Sequence, residues 1–218
     1  MELGLSNKVI VVSGGAKGIG YGITKVLAQE GATVCIVGRS AADNKLAVDA
    51  IAETGGKAFG VVAELTDPND CKKAIDTVLA TYGTIDGLVN NAGVNDGVGL
   101  ENGSYEGFMA SLHKNLVHYY LLAHHALPAL KKSKGSIVNI GSKTAETGQG
   151  NTSAYAASNG GRNALTREWA VELLKYGIRV NAVVVAECYT PAYEKWIQTL
   201  NEPRSEERRV GKECLRLC

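Results

Sequence analysis

The chain has 218 residues, 45% of them hydrophobic and 26 of them glycine, which suits one α/β domain with a sizeable core rather than a fibre or a disordered segment. Its formal net charge is +1 and the first 200 residues hold no basic cluster, which argues against nucleic acid or a membrane surface as partner. The five cysteines (Cys35, Cys71, Cys188, Cys214 and Cys218) are odd in number and form no CxxC pair, so a reducing, cytoplasmic setting is expected, with no disulfide frame, metal site, leader or membrane span.

Short β-branched runs alternate with longer helical patterns along the chain. A strand at 9–12 leads to a helix near 18–30, a strand at 33–37 to a helix near 43–54, and a strand at 58–62 to a helix near 68–82. The strand at 85–89 precedes a long helical stretch near 104–131, the strand at 136–140 one near 153–175, and a last apolar run spans 178–185. Near-continuous apolar strands imply a sheet covered on both faces, the doubly wound parallel case, with ligands at the carboxyl ends of its strands. No repeat and no linker divides the chain, so the fold class is α/β, Rossmann-like, in a single domain.

Directly after the first strand comes Ser13-Gly14-Gly15-Ala16-Lys17-Gly18-Ile19-Gly20. Glycines permit the tight turn and let the backbone approach a pyrophosphate, which then rests on the amides of the next helix N-terminus. The second strand ends in Gly38-Arg39-Ser40 with no acidic residue to hold a ribose 2′-hydroxyl. Arg39 and Lys17 are instead suited to a 2′-phosphate, so NADP is favoured with NAD as the alternative; two solvated surface cations are the plainer reading of the same pair.

Further along lie Asn90-Asn91-Ala92-Gly93 after the fourth strand, Asn115 in the long helix, Ser142 after the fifth strand, and Tyr155 13 residues later in Tyr155-Ala156-Ala157-Ser158. With the GxxxGxG turn, these motifs resemble those of the short-chain dehydrogenase/reductase family, in order and spacing over residues 5 to 200. The resemblance implies that Gly14, Lys17, Gly18, Ile19, Gly20, Arg39, Glu64, Asn91, Ala92, Gly93, Tyr155 and position 159 hold the cofactor. It implies Asn115, Ser142, Tyr155 and position 159 as the catalytic set. Glu64 stands where the family usually places an adenine-contacting Asp. The intact family form is a homo-oligomer, a tetramer or a dimer.

Oxidising an alcohol removes a hydride and a proton, and a tyrosinate at Tyr155 suits the proton while the Ser142 hydroxyl steadies the substrate oxygen. An ordinary tyrosine, with a pKa near 10, is only about one part in a thousand ionised at pH 7. The family answers with a lysine four residues on, whose charge favours tyrosinate and whose ammonium holds the nicotinamide ribose. Here that position is Asn159, an amide without charge. A rate loss on the order of 10²–10³ near neutral pH is expected from it. Sequence error, deliberate inactivation and a natural nucleotide-binding pseudoenzyme are the three origins open to it.

The substrate-side segments, among them Asn95-Asp96-Gly97, Thr147-Gly148-Gln149-Gly150-Asn151 and Ala186-Glu187-Cys188-Tyr189, are similar to those of bacterial L-fucose dehydrogenases, which oxidise the anomeric carbon to a lactone. Asn95, Gln149, Asn151 and Glu187, with Ser142 and Tyr155, would set amides and carboxylates around a polyol, although each also suits a loop cap. A ketoacyl or steroid carbonyl reductase is the alternative. His113, His118, His124 and His125 lack metal-ligand spacing and read as structural, and Trp196 as lid or core packing. Residues 204–214 resemble a translated sequencing adapter, so the domain is taken as 1–203 with 204–218 set apart. The sheet is then expected to lack the family's last strand and to end on the apolar run at 178–185.

Overall fold

The computed structural model describes residues 3–198; the tail assigned to 204–218 and the side chain of Trp196 lie outside the described residues. In chain order the elements are β1 (Val9–Ser13), α1 (Gly18–Gln29), β2 (Thr33–Gly38), α2 (Ala41–Glu53), β3 (Lys57–Val62), α3 (Pro68–Tyr82), β4 (Gly87–Asn90), α4 (Tyr105–Leu112), α5 (His118–Ser133), β5 (Ser136–Ser142), α6 (Thr144–Thr147), α7 (Ser153–Glu172), β6 (Arg179–Val185) and α8 (Pro191–Ile197). The six strands form one parallel sheet in the order β3-β2-β1-β4-β5-β6. This is the doubly wound Rossmann-like architecture read from the alternation of apolar runs and amphipathic helices, in a single domain.

Every residue of β1 is buried, because helices cover both faces of the sheet. On one face Val9, Val11, Cys35 and Val37 pack under α3, α5 and α7 through Ile75, Leu122, Leu130 and Trp169. On the other, Ile10, Val12 and Val34 pack under α1 and α2 through Ala28, Leu27 and Ile51. Local chemistry sets the helix starts: Ser40, Asp67 and Ser104 accept from backbone amides in the first turns of α2, α3 and α4, and Pro68 occupies the first turn of α3. Among the described residues β6 is a sheet edge, with Val183 51% and Val184 45% exposed. No described helix is long and apolar enough to cross a membrane.

The long helical stretch read as one element is interrupted. Between α4 and α5 residues His113–Val117 form a π-helical turn, the wider turn that inserts a residue into a helix. Its centre is Asn115, whose carbonyl accepts from Arg162 Nε at 2.7 Å and whose side-chain amide donates to the Ser111 carbonyl at 3.0 Å.

A second tertiary hydrogen-bond knot sits at the carboxyl ends of β2 and β3. Buried Asn44 donates its amide to the Gly38 carbonyl and the Val61 carbonyl, both at 3.1 Å. A Cβ at Gly38 or Gly60 would lie 2.8 or 2.9 Å from that side chain, so the two glycines make room for it. Asn44→Ala removes both bonds, leaving the Gly38 carbonyl only the Ala63 amide at 3.2 Å, and should lower unfolding free energy by about 1–3 kcal/mol, read from urea melts, with the denaturant slope unchanged.

Candidate active site

The turn after β1 is built for a close backbone approach. Gly14 and Gly18 have φ of 65° and 54°, the left-handed region glycine reaches without penalty. At Gly20 a Cβ would fall 2.1 Å from the Gly14 carbonyl oxygen and 2.6 Å from Asn91 Nδ2. Asn91 closes the turn from β4: its amide donates to the carbonyls of Ser13 at 2.9 Å and Gly14 at 3.3 Å, while the backbone N–H groups of Asn91 and Ala92 donate to Ser13 Oγ. The helix α1 begins here with no side-chain cap on its first amides and no acidic residue in its first turn. The turn therefore presents uncapped backbone donors at the start of α1 beside glycines that allow a close approach, the arrangement a pyrophosphate requires. Beside it, an open groove of about 700 Å³ runs between α1 and the 188–191 segment, lined by Ile19, Ile23, Leu27, Tyr189 and Pro191 among others.

The two cations read as a phosphate clamp have different surroundings. Lys17 Nζ is 2.7 Å from Asp43 Oδ2, and that bond, with the Ser40 hydroxyl, holds the Asp43 carboxyl below its usual range. Arg39 is exposed and has no ion pair among the described residues. Glu64 folds back on its own loop, its carboxylate accepting from the Thr66 amide at 3.1 Å and the Thr66 hydroxyl at 3.0 Å.

At the other end of the cleft Ser142 closes β5 and Tyr155 opens α7, half-buried both. Ser142 Oγ accepts from the Thr144 hydroxyl at 3.1 Å and the Thr144 amide at 3.3 Å, which leaves the Ser142 hydroxyl proton for a ligand oxygen. Asn115 belongs to the frame behind the cleft: fully buried, its Oδ1 accepts from the Val94 amide at 2.7 Å. Asn159 is also fully buried, donating to the Tyr155 carbonyl at 2.8 Å and accepting from Arg162 at 3.0 Å. Its oxygen and one of its two amide hydrogens are thus engaged inside the protein.

The substrate-side residues separate into three kinds. Gln149 and Asn151 are exposed on the loop before α7, Asn151 with a φ of 53°. Asn95 is exposed and caps its own turn through the Gly97 amide at 3.3 Å. Glu187, placed among the polyol contacts from sequence, is ion-paired to Lys143, its side chain only 5% exposed, so its carboxylate ties the segment after β6 to the one after β5. Among the described residues no group of three or more His, Cys, Asp or Glu side chains could hold a metal.

Sequence reasoning missed Arg162. It is 3% exposed and donates to the carbonyls of Asn115 and Ile140 and to Asn159, with its guanidinium 4.2 Å from the centre of the Tyr119 ring. A signal existed: Tyr155, Asn159 and Arg162 stand at i, i+4 and i+7 on one face of α7, where a charge is out of place on a buried helix stripe. His118 lies near the same knot, its Nε2 2.9 Å from the Lys114 carbonyl, and burial pulls its pKa from 6.5 down to about 4.

The fold and this cleft define an oxidoreductase that works with a nicotinamide dinucleotide. The short chain dehydrogenase family pattern matches residues 8–201. The chain is 34% identical to L-fucose dehydrogenase of Rattus norvegicus, over 92% of this chain and 73% of the relative. It is 37% identical to a 3-oxoacyl-acyl-carrier-protein reductase of Thermotoga maritima, over 95% of this chain and 85% of the relative. Among solved structures, the Cj0485 dehydrogenase superposes with a TM-score of 0.88 at 40% identity, covering 96% of this chain and 80% of that one. Levodione reductase superposes at 0.87 with 30% identity, covering 92% and 80%. The chain belongs to the short-chain dehydrogenase/reductase family, NAD(P)-dependent enzymes acting on alcohols.

The buried histidine gives a pH prediction. Unfolded, His118 takes a proton near pH 6.5; folded, it stays neutral down to about pH 4. Stability is therefore intact above pH 6.5 and falls as the pH drops below it, by on the order of 3 kcal/mol at pH 4. In calorimetric scans across that window His118→Leu should flatten the fall in Tm, and an unchanged slope would refute this origin.

Proposed function

We propose that this chain oxidises a sugar hydroxyl, with L-fucose as substrate and the anomeric carbon as the site of oxidation, giving the lactone. The observation that carries the reading is the identity to L-fucose dehydrogenases of several mammals over 92–93% of this chain, joined to the exposed amides of Asn95, Gln149 and Asn151 on the loops after β4 and before α7. Tyr155 takes the proton of the alcohol as general base, and Ser142 donates its hydroxyl to the same oxygen and holds it in place. Asn115 positions both by anchoring the loop after β4, and the half-buried Lys143–Glu187 pair holds the exits of β5 and β6. Gly14, Gly18, Ile19 and Gly20 on the turn after β1, with Asn91, Ala92 and Gly93 after β4, would hold a nicotinamide dinucleotide, which would supply the hydride acceptor.

NADP is the proposed cofactor, through Arg39. With Lys17 held by Asp43, Arg39 carries the discrimination for a 2′-phosphate. The buried thiols of Cys35 and Cys71 form no disulfide, which fits a cytoplasmic setting. Exposed Tyr105, Tyr120 and Val171 on α4, α5 and α7 supply apolar surface for a homo-oligomer.

Two measurements test this reading. Nicotinamide absorbance is followed with L-fucose, D-arabinose, L-galactose and a 3-ketoacyl thioester. Turnover of an aldose that falls about 10³-fold in Tyr155→Phe is expected; turnover of the thioester alone would move the assignment to ketoacyl reduction, the activity named for the Thermotoga relative. Arg39→Ala should raise the KM for NADP about 10- to 100-fold and leave that for NAD unchanged. Equal effects on both cofactors would return the choice to NAD.

A further inference from the structure

We propose that Asp43 tunes the choice between NADP and NAD by withholding Lys17 from a 2′-phosphate. The inference rests on the reading of Arg39 as the residue that meets that phosphate, and it adds the charge that opposes it. Lys17 is the last residue before α1 and Asp43 lies in the first turn of α2, yet Lys17 Nζ and Asp43 Oδ2 are 2.7 Å apart. The carboxylate thus joins the glycine turn to the exit of β2, the two segments that receive the adenosine ribose in a doubly wound nucleotide site. The strands beneath them are paired to their ends: Ser13 stands opposite Val37, and the Gly14 amide donates to the Val37 carbonyl at 2.8 Å.

Bonds on either side of Asp43 hold it in place. Its amide donates to Ser40 Oγ at 3.2 Å, and the next residue, Asn44, donates its backbone amide to the Ser40 carbonyl at 3.0 Å. The Asn44 side chain ties the same turn to the Gly38 and Val61 carbonyls. Arg39 lies within this clamp, between Gly38 and Ser40. An acidic residue in a first turn ordinarily serves the dipole of its own helix. Here the Ser40 hydroxyl already caps α2, and the carboxylate reaches out to a lysine of another segment. As a folding contact the pair is weak, because the Lys17 side chain is 72% exposed and solvent screens it. Its effect falls on what Lys17 can offer a ligand.

Arg39 and Lys17 bring two positive charges to this corner, and Asp43 cancels one of them. Bonded to Lys17 and to Ser40, its carboxyl is held below the usual range and stays ionised at neutral pH. The neighbouring acids are engaged elsewhere: Glu64 accepts from Thr66, Asp70 from the Glu64 amide at 2.8 Å, and Asp49 pairs with Lys45. A phosphate monoester with nearly two negative charges therefore meets a lysine already claimed and a carboxylate that repels it. A plain ribose hydroxyl meets neither cost. Asp43 thereby narrows the gap between the two cofactors that Arg39 opens.

The test is equilibrium binding to the whole chain by calorimetry, with no turnover required. The probes are adenosine 2′,5′-bisphosphate and adenosine 5′-monophosphate, which differ only in the 2′-phosphate, at one fixed ionic strength. Asp43→Asn should tighten the bisphosphate about 5- to 10-fold and leave the monophosphate unchanged. Asp43→Glu, which keeps the charge, should hold the parent ratio. Lys17→Ala should cost bisphosphate affinity less than about twofold in the parent and about 5- to 10-fold in Asp43→Asn, where the lysine is free. Bisphosphate affinity unmoved in folded Asp43→Asn would overturn the proposal. So would equal changes for the two probes, or a Lys17→Ala loss that is the same in both backgrounds. If Asp43→Asn does not fold, Asp43→Ser is read by the same criteria. Arg39→Ala separates this inference from the reading beneath it. A loss of bisphosphate affinity there, with no gain in Asp43→Asn, removes Asp43 alone. A gain in Asp43→Asn with Arg39→Ala silent removes Arg39 and leaves Asp43 in place.

Discussion

A buried guanidinium must find acceptors, and much of this molecule's local irregularity follows from meeting that demand. Arg162 takes the carbonyl of Asn115, which goes with the π-helical turn between α4 and α5. It takes the carbonyl of Ile140, two residues before Ser142, and so fixes the exit of β5. It takes the side chain of Asn159 and, by lying beneath Gly93, forbids any larger residue there. The π-helical turn and the exit of β5 are thereby held to α7 by a single planar group.

Beside this knot runs a chain of buried polar side chains through the sheet. Asn90 donates to Asn139 at 3.0 Å, Asn139 to Thr166 at 2.9 Å, and Thr166 to the Arg162 carbonyl at 2.8 Å. Asn90, Asn139 and Thr166 are all buried, where an unmet donor would be costly, so the chain specifies how β4, β5 and α7 lie relative to one another. Asn44 performs the same service at the far side of the sheet, between β2 and β3. Directional contacts of this kind set the strand exits, and the cleft is made of strand exits.

The sequence carried the fold in its periodicities. Six apolar runs and the amphipathic stretches between them show as strands and helices, because period and polarity are local properties. The glycine turn was equally legible, since Gly14, Gly18 and Gly20 answer to backbone geometry alone. What stayed hidden was partnership. Lys17 and Glu187 each advertised a charge, but the carboxylate and ammonium that claim them, Asp43 and Lys143, come from other segments brought close only by folding. Asn159 shows in the sequence only as an uncharged side chain, and its bond to Arg162 on the next turn appears only in the structure. The π-helical turn was invisible for a related reason: tertiary acceptor demand at Asn115, with no local propensity behind it, accompanies the break in the helix.

The strand order has a consequence for how the molecule comes into being. In β3-β2-β1-β4-β5-β6 each new strand adds at an open edge: β2 and β3 extend one side of β1, then β4, β5 and β6 extend the other. No strand has to be threaded between two that are already paired. As the chain leaves the ribosome, each crossover can dock on a finished edge, with sequence-distant closure limited to the return from β3 to β1 that brings in β4. The glycine turn stands beside that same junction, so the dinucleotide seat is completed at the moment the two halves of the sheet are joined.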